Sequence, residues 1–145
     1  MAGYSGTPLH KKLGIKENSR VLLLNAPAGF RIDSLPAGVQ IVRRPQEHLD
    51  VILAFVKSNK QLELLFEELV RSLAQGGGLW IVWPKKSSGV KTDVEFNSVQ
   101  RTGLDAGLVD NKICAVDEVW SGLRFMRRRI AATIKVDGRK SSQVR

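Results

Sequence analysis

The sequence predicts a single α/β domain of three layers, with a mainly parallel sheet of about six strands and an antiparallel last strand. Its 145 residues, 43% of them hydrophobic, suit one globular core. Several apolar runs show no alternation, which is typical of strands covered on both faces. These runs are interleaved with segments of helical spacing, an order that favours right-handed crossovers and parallel strands.

The N-terminal half begins with a short helix and three strands. A threonine–proline pair followed by Gly14 predicts a helix over 8–13, because proline fits the first helical turn and glycine ends the helix. The unbroken apolar run Val21–Ala26 predicts the first central strand. Val39–Arg43 and Leu49–Val56 predict the second and third strands.

The strongest helical signal follows the third strand. Ser58 and Gln61 have capping-box spacing, and Gly76 follows the last turn as a stop. We therefore predict a helix over 59–75. The apolar residues that recur at helical spacing within it are Leu62, Leu65, Phe66, Leu69, Val70 and Leu73.

The C-terminal half continues the alternation of strand and helix. Gly78–Trp83 predicts another strand that is covered on both faces. Thr92 starts a second capping-box spacing and predicts a helix that ends at Gly107. Leu108–Val116 predicts the next strand, and Leu123–Arg129 the last one. Because a turn joins these two strands, the final hairpin must be antiparallel.

The net charge of +9 is unevenly distributed. Residues 21–121 contain eleven bases and twelve acids, whereas residues 122–145 contain eight bases and one acid. We predict an N-terminal segment with a short helix over 1–19, an α/β domain over 20–129 and a basic C-terminal tail over 130–145.

The basic C-terminus has two interpretations. It can bind nucleic acid or an acidic protein, or it can simply keep the protein soluble. In the first interpretation, the polyanion-binding residues are Arg127, Arg128, Arg129, Arg139 and Lys140.

The composition excludes several classes of site. A single cysteine, Cys114, excludes an internal disulfide, and its apolar strand predicts an inert buried thiol. His10 and His48 are the only histidines, so we predict no metal site and no histidine-based catalytic triad. Residues 1–6 lack the features of a secretory signal, and no apolar run is long enough to span a bilayer. These patterns predict a cytoplasmic protein without a membrane partner.

Four segments resemble a small bacterial family that is defined only as a domain of unknown function. They are Gly3–Leu9, Val21–Pro27, Trp83–Lys86 and Cys114–Leu123. The resemblance covers roughly residues 3–129, and it implies a fold without implying an activity.

A second resemblance is to the class I methyltransferase variant of the Rossmann fold. Residues 69–81 resemble the helix, Gly-Gly turn and strand that follow the cofactor site in those enzymes. Their sheet also ends in a hairpin with an antiparallel last strand. The resemblance implies a Rossmann-like, methyltransferase-like topology, and it makes a divergent S-adenosylmethionine-dependent methyltransferase one alternative for the function.

Two departures from that family's pattern disfavour S-adenosylmethionine as the cofactor. The glycine-rich turn after the first strand is replaced by Asn25–Gly29, in which Pro27 has no amide donor. Arg43 and Arg44 stand where those enzymes have a carboxylate for the ribose hydroxyls. A lost charged hydrogen bond of about 1.5–3 kcal/mol weakens binding roughly ten- to a hundred-fold.

The predicted carboxyl edge of the sheet is rich in bases and small polar residues. This chemistry suits an anionic, phosphate-bearing small molecule, and the N-terminus of the 59–75 helix would add amide donors. The alternative is solvated loop charge that Asp117 and Glu118 neutralise. None of these residues is a convincing nucleophile or general base. The candidate ligand-binding residues are Asn25, Gly29, Arg43, Arg44, Lys57, Ser58, Lys60, Lys85, Lys86, Ser87 and Ser88.

Overall fold

A six-stranded mixed sheet forms the centre of the computed structural model, which describes residues 6–128. The strand order is β2-β1-β3-β4-β6-β5, and only β6 is antiparallel to its neighbours. This arrangement confirms the predicted α/β class and the antiparallel last strand. The elements are α1 (Leu9–Leu13), β1 (Arg20–Leu24), β2 (Gln40–Val42), β3 (Leu49–Phe55), α2 (Asn59–Ser72), β4 (Leu73–Pro84), a 3-10 turn (Lys86–Ser88), α3 (Phe96–Asp105), β5 (Leu108–Ala115) and β6 (Trp120–Arg127).

Both faces of the central strands are buried. In β4, Leu79 and Ile81 pack in the core on the α2 and α3 face. Trp80 and Val82 pack on the opposite face, together with Leu13 of α1 and the segment that follows β1. An apolar residue is therefore needed at each of these positions, which explains the unbroken run in this part of the strand.

The end of α2 differs from the prediction. The helix stops at Ser72, not at residue 75, and Leu73 is extended, buried and paired with Leu49 of β3. The Arg127 guanidinium donates hydrogen bonds to the carbonyls of Val70 and Leu73 and thereby satisfies the helix end. Gly76 is consequently not the helix cap; it lies within β4 with a positive φ of 84°.

The start of α3 also needs correction. Its N-cap is Glu95, whose side chain forms a reciprocal capping box with Ser98. Thr92 instead donates its hydroxyl to the carbonyl of Lys57 and accepts the amide of Val94. A tertiary contact with the end of β3 thus takes the hydroxyl that was predicted to cap the helix.

Three strand boundaries differ from the prediction by two or three residues, and the start of β4, at Leu73, differs by five. β1 ends at Leu24 because Asn25 adopts a left-handed φ of 61°. β6 begins at Trp120, three residues before the predicted start, and ends at Arg127. The Asp117 carboxylate accepts the amides of Val119 and Trp120, so the turn closes early and the hairpin is longer.

No helix within residues 6–128 has the length and apolar character needed to cross a membrane.

Candidate functional site

A cavity opens at the carboxyl edge of the sheet, beside the point where successive strands are added on opposite sides of β1. From β1 the sheet continues to β2 on one side and to β3 on the other. Ligands of open α/β sheets bind at such a switch point, beyond the carboxyl ends of the strands. The cavity has a volume of about 340 Å³ and is lined by Asn25, Ala26, Phe55, Lys57, Gln61 and Trp120.

Asn25 forms the wall at the end of β1. Its left-handed backbone turns the chain away from the sheet, and its side chain is exposed. Asparagine tolerates this conformation better than most residues with a side chain. The side-chain amide, which has two N–H donors and a carbonyl acceptor, is therefore available to a ligand in the cavity.

Lys57 is held at the end of β3 through its backbone. Its amide donates to Oε1 of Gln61 at 2.9 Å, and its carbonyl accepts the hydroxyl of Thr92 at 2.6 Å. Within residues 6–128, no carboxylate oxygen lies within 4.0 Å of its ammonium group, and no acidic residue lines the cavity. The lining consequently contains one exposed lysine and no acidic residue that could neutralise it.

Aromatic rings form the floor of the cavity. Phe55 and Trp120 are 2% and 6% exposed, and their ring centroids lie 5.1 Å apart in an edge-to-face arrangement. Phe30 packs against Phe55 in a similar way at 5.0 Å. The cavity therefore combines a rigid apolar base with polar groups at its rim.

The first amides of α2 are already engaged by the chain itself. The amide of Gln61 donates to the Ser58 hydroxyl at 3.0 Å, as predicted for an N-cap. The amide of Asn59 donates to the Asp93 carboxylate at 2.8 Å. An anion in the cavity would therefore be held mainly by side chains. Fewer amides at the N-terminus of α2 are free to bind it than the sequence predicts.

The cavity lining includes only part of the predicted ligand set. Asn25 and Lys57 line it, whereas Ser58 serves as the helix cap. The ammonium of Lys86 lies 3.8 Å from the Glu95 carboxylate, and both side chains are exposed. Predicted residues that follow the strands but do not line the cavity are Gly29, Arg43, Arg44, Lys60, Lys85, Lys86, Ser87 and Ser88.

Four lining residues are not among the predicted ligand-binding residues: Ala26, Phe55, Gln61 and Trp120. Ala26 and Phe55 belong to apolar runs, and no sequence signal separates them from ordinary core residues. Gln61 was recognised only as a partner of the helix cap. Its spacing from Ser58 places it one turn into α2, facing back toward the end of β3, which could have indicated its position.

Arg127 and Arg128, the two members of the predicted polyanion-binding set that the structure describes, do not line this cavity. Arg127 pairs with Leu108 at the opposite edge of the sheet, and its guanidinium is committed to the carbonyls at the end of α2. Arg128 is exposed. Three other members of the predicted polyanion-binding set, Arg129, Arg139 and Lys140, fall outside the described residues.

Cys114 lies on β5 as a half-buried thiol, more exposed than the buried thiol predicted from the sequence. Burial raises the pKa of this thiol above its ordinary value, while the ammonium groups of Lys12 and Lys112 lower the pKa by a smaller amount. The thiolate, which is the nucleophile, is thus less populated than in a free cysteine.

We expect iodoacetamide to alkylate Cys114 several-fold more slowly at about pH 8 than it alkylates the denatured chain, because the raised pKa lowers the thiolate fraction. The rate should rise as the pH passes above the ordinary thiol pKa of about 8.5. Lys112→Gln should slow the reaction further by removing a charge that favours the thiolate. A native rate equal to that of the denatured chain would contradict this prediction, which mass spectrometry over time can check.

Solved methyltransferase structures share this architecture. An S-adenosylmethionine-dependent methyltransferase from Aquifex aeolicus matches with a TM-score of 0.58 at 18% identity, over 79% of this chain and 85% of that one. DhpI, solved as a complex with SAH, matches with a TM-score of 0.57 at 12% sequence identity. The match covers 81% of this chain and 80% of DhpI. Fibrillarin from Aeropyrum pernix, solved with natively bound S-adenosyl-L-methionine, matches with a TM-score of 0.54 at 14% sequence identity. The match covers 79% of this chain and 69% of that fibrillarin chain. At these identities the likeness establishes the fold alone, and it confirms the predicted methyltransferase-like topology.

Comparison with curated proteins gives no match. A family model described as a protein of unknown function (DUF3052) matches residues 37–129. This span includes the segments at 83–86 and 114–123 that suggested such a family, and it covers most of the sheet. The chain therefore belongs to the DUF3052 family of proteins of unknown function.

Proposed function

We propose that this protein is a binding domain that takes a small anionic, phosphate-bearing molecule into the carboxyl-edge cavity. The observation that supports the proposal most directly is the position of Lys57. Its ammonium has no carboxylate partner within residues 6–128, and it stands at the switch point between β1 and β3. A cation placed there without internal compensation favours a negatively charged ligand.

The size of the cavity restricts the class of ligand. Its 340 Å³ is near the lower limit of the roughly 300–1,000 Å³ that is usual for small-molecule sites. A sugar phosphate or a single nucleotide fits this range better than a dinucleotide. Lys57 would pair with the phosphate, and the amides of Asn25 and Gln61 can bond hydroxyl or base-edge groups.

We also infer that methyl transfer is not the activity of this chain. Arg43 and Arg44 follow β2, where the resemblance to methyltransferases implies a carboxylate for the ribose hydroxyls, and both arginines are exposed. Two cations cannot accept hydrogen bonds from those hydroxyls. The replacement of a negative carboxylate by two positive arginines disfavours S-adenosylmethionine, and the same positive charge attracts anions to this edge of the sheet.

Isothermal titration with adenosine 5′-monophosphate and ribose 5-phosphate tests the proposal. We expect at least one of them to bind saturably, and Lys57→Met to weaken that binding about ten- to a hundred-fold through loss of a charged hydrogen bond. Lys60→Met is the matched control, because Lys60 is an exposed lysine of α2 that does not line the cavity.

Two outcomes would overturn the proposal. Equal affinity in the Lys57→Met variant and the unmodified protein would place the ligand elsewhere. Saturable binding of S-adenosylmethionine that is stronger than binding of either phosphate compound would favour the divergent methyltransferase instead.

A further inference from the structure

We propose that a second oxyanion site lies at the opposite, amino edge of the sheet, with Arg124 as its central residue. This site does not depend on the function proposed for the carboxyl-edge cavity. It occupies a separate cavity of about 490 Å³ between the end of α1, the start of β3 and the glycine-rich start of β4. No residue is shared between the linings of the two cavities.

The register of the sheet places Arg124 on the α1 face. It is paired with Trp80 of β4 and with Lys112 of β5, and residues paired across strands point to the same face. Trp80 packs in the core on that face, where its indole donates to the carbonyl of Leu13. The arginine side chain therefore extends beside α1 toward the amino edge.

Two glycines make room for the guanidinium. A Cβ atom on Gly78 would lie 2.8 Å from Nε of Arg124, closer than real Cβ contacts allow. A Cβ on Gly14, the left-handed residue that ends α1, would lie 3.6 Å from Nη1. The guanidinium thus occupies the space that a side chain at Gly78 would fill, and it lies within ordinary van der Waals distance of the Cβ position at Gly14.

The donors of this guanidinium are not satisfied within residues 6–128. Nε is inaccessible to solvent and has no hydrogen-bond partner there, and Nη2 reaches only the sulfur of Met126 at 3.7 Å. No carboxylate oxygen of those residues lies within 4.0 Å of it. A buried N–H without a partner is unfavourable, and a cation without an internal carboxylate partner attracts an external anion.

Two acids line the same cavity, and neither pairs with Arg124. One carboxylate oxygen of Asp50 accepts the backbone amide of Arg20 at 2.8 Å, which fixes this acid at the start of β1. Glu17 is exposed and forms no ion pair within the described part of the chain. Lys16 adds a second cation to the lining.

The lining indicates a phosphate group as the ligand chemistry. Arginine presents several N–H donors in a planar fork that matches phosphate oxygens, and a neighbouring lysine adds charge. The cavity is larger than a bare phosphate requires. Besides the charged residues, its lining consists of glycines, the polar residues Asn18, Ser19 and Gln75, and the apolar residues Leu13 and Val51. A phosphate monoester of a small polar molecule fits this combination, and inorganic phosphate is the simplest probe of it.

Phosphate titrations in the Lys57→Met background test this site separately from the carboxyl-edge cavity. We expect phosphate, at constant ionic strength, to raise the melting temperature and to shift the Arg124 Nε–H resonance in ¹H–¹⁵N spectra. Adding Arg124→Met should reduce phosphate affinity about tenfold or more, whereas adding Arg101→Met, at an exposed arginine of α3, should leave it unchanged. Ribose 5-phosphate distinguishes a monoester from free phosphate: tighter binding than phosphate assigns the monoester, and equal binding assigns the free ion.

The resonance shift keeps the test valid if the Arg124→Met variant does not fold, because the arginine remains in place. A phosphate titration that leaves the Arg124 Nε–H resonance unmoved would overturn the proposal. Glu17→Gln should strengthen phosphate binding by removing a nearby negative charge. If that change instead lowers the melting temperature without phosphate and leaves phosphate affinity unchanged, Glu17 is the partner of Arg124 and the site is not a ligand site.

Discussion

Replacing Trp80 with alanine is expected to lower the free energy of unfolding by about 3–5 kcal/mol, the largest effect that we predict for a single substitution. Trp80 is fully buried on the α1 face of the sheet. Truncation would leave a cavity between β4 and Leu13, and it would remove the indole donor from the Leu13 carbonyl, which it reaches at 3.0 Å. Both losses act on the contact that holds α1 against the sheet.

Urea unfolding followed by circular dichroism would measure this change. Trp80→Phe separates its two causes, since it keeps most of the buried ring but leaves the Leu13 carbonyl without its donor, at about 1–3 kcal/mol. Leu64→Ala is the control, because Leu64 is 74% exposed. A loss below about 1 kcal/mol for Trp80→Ala would show that α1 does not depend on this contact.

Gly103→Ala is expected to destabilise the protein by about 1–3 kcal/mol, although alanine is the better helix former by about 1 kcal/mol. Gly103 is buried in α3, and a Cβ atom there would overlap the ring of Phe125 on β6. Phe125 is itself fully buried and packs edge-to-face on Phe66 of α2. The ring therefore has little freedom to move aside.

A double-mutant cycle identifies the clash as the cause. Phe125→Leu shortens the side chain, so the loss for Gly103→Ala with Phe125→Leu should be clearly smaller than the sum of the two single losses. Asn97→Ala, at an exposed position of the same helix, reports the effect of helix propensity alone. A stabilising Gly103→Ala would mean that α3 can move away from β6.

The sequence by itself determined most of the local structure. Strands such as β3 could be predicted because both of their faces are buried from Val51 to Phe55, so every position of that run is apolar. The start of α2 could be predicted because Ser58 caps the helix by accepting the amide of Gln61, only three residues further along the chain. The mainly parallel sheet with right-handed crossovers then followed from the alternation of strand and helix.

Tertiary structure decided which residues share a site. Lys57 lies in the carboxyl-edge cavity, whereas Arg43 does not line it, although both follow strands; only the order of strands in space distinguishes them. Arg127 donates a hydrogen bond to the carbonyl of Leu73 at the end of α2, 54 residues away in the chain. Arg124 lies against Gly14 and Gly78, so it became a candidate ligand residue only when these segments met. Local patterns record capping and burial because those forces act between near neighbours, whereas the partner of a long charged side chain depends on which distant backbone the fold brings to it.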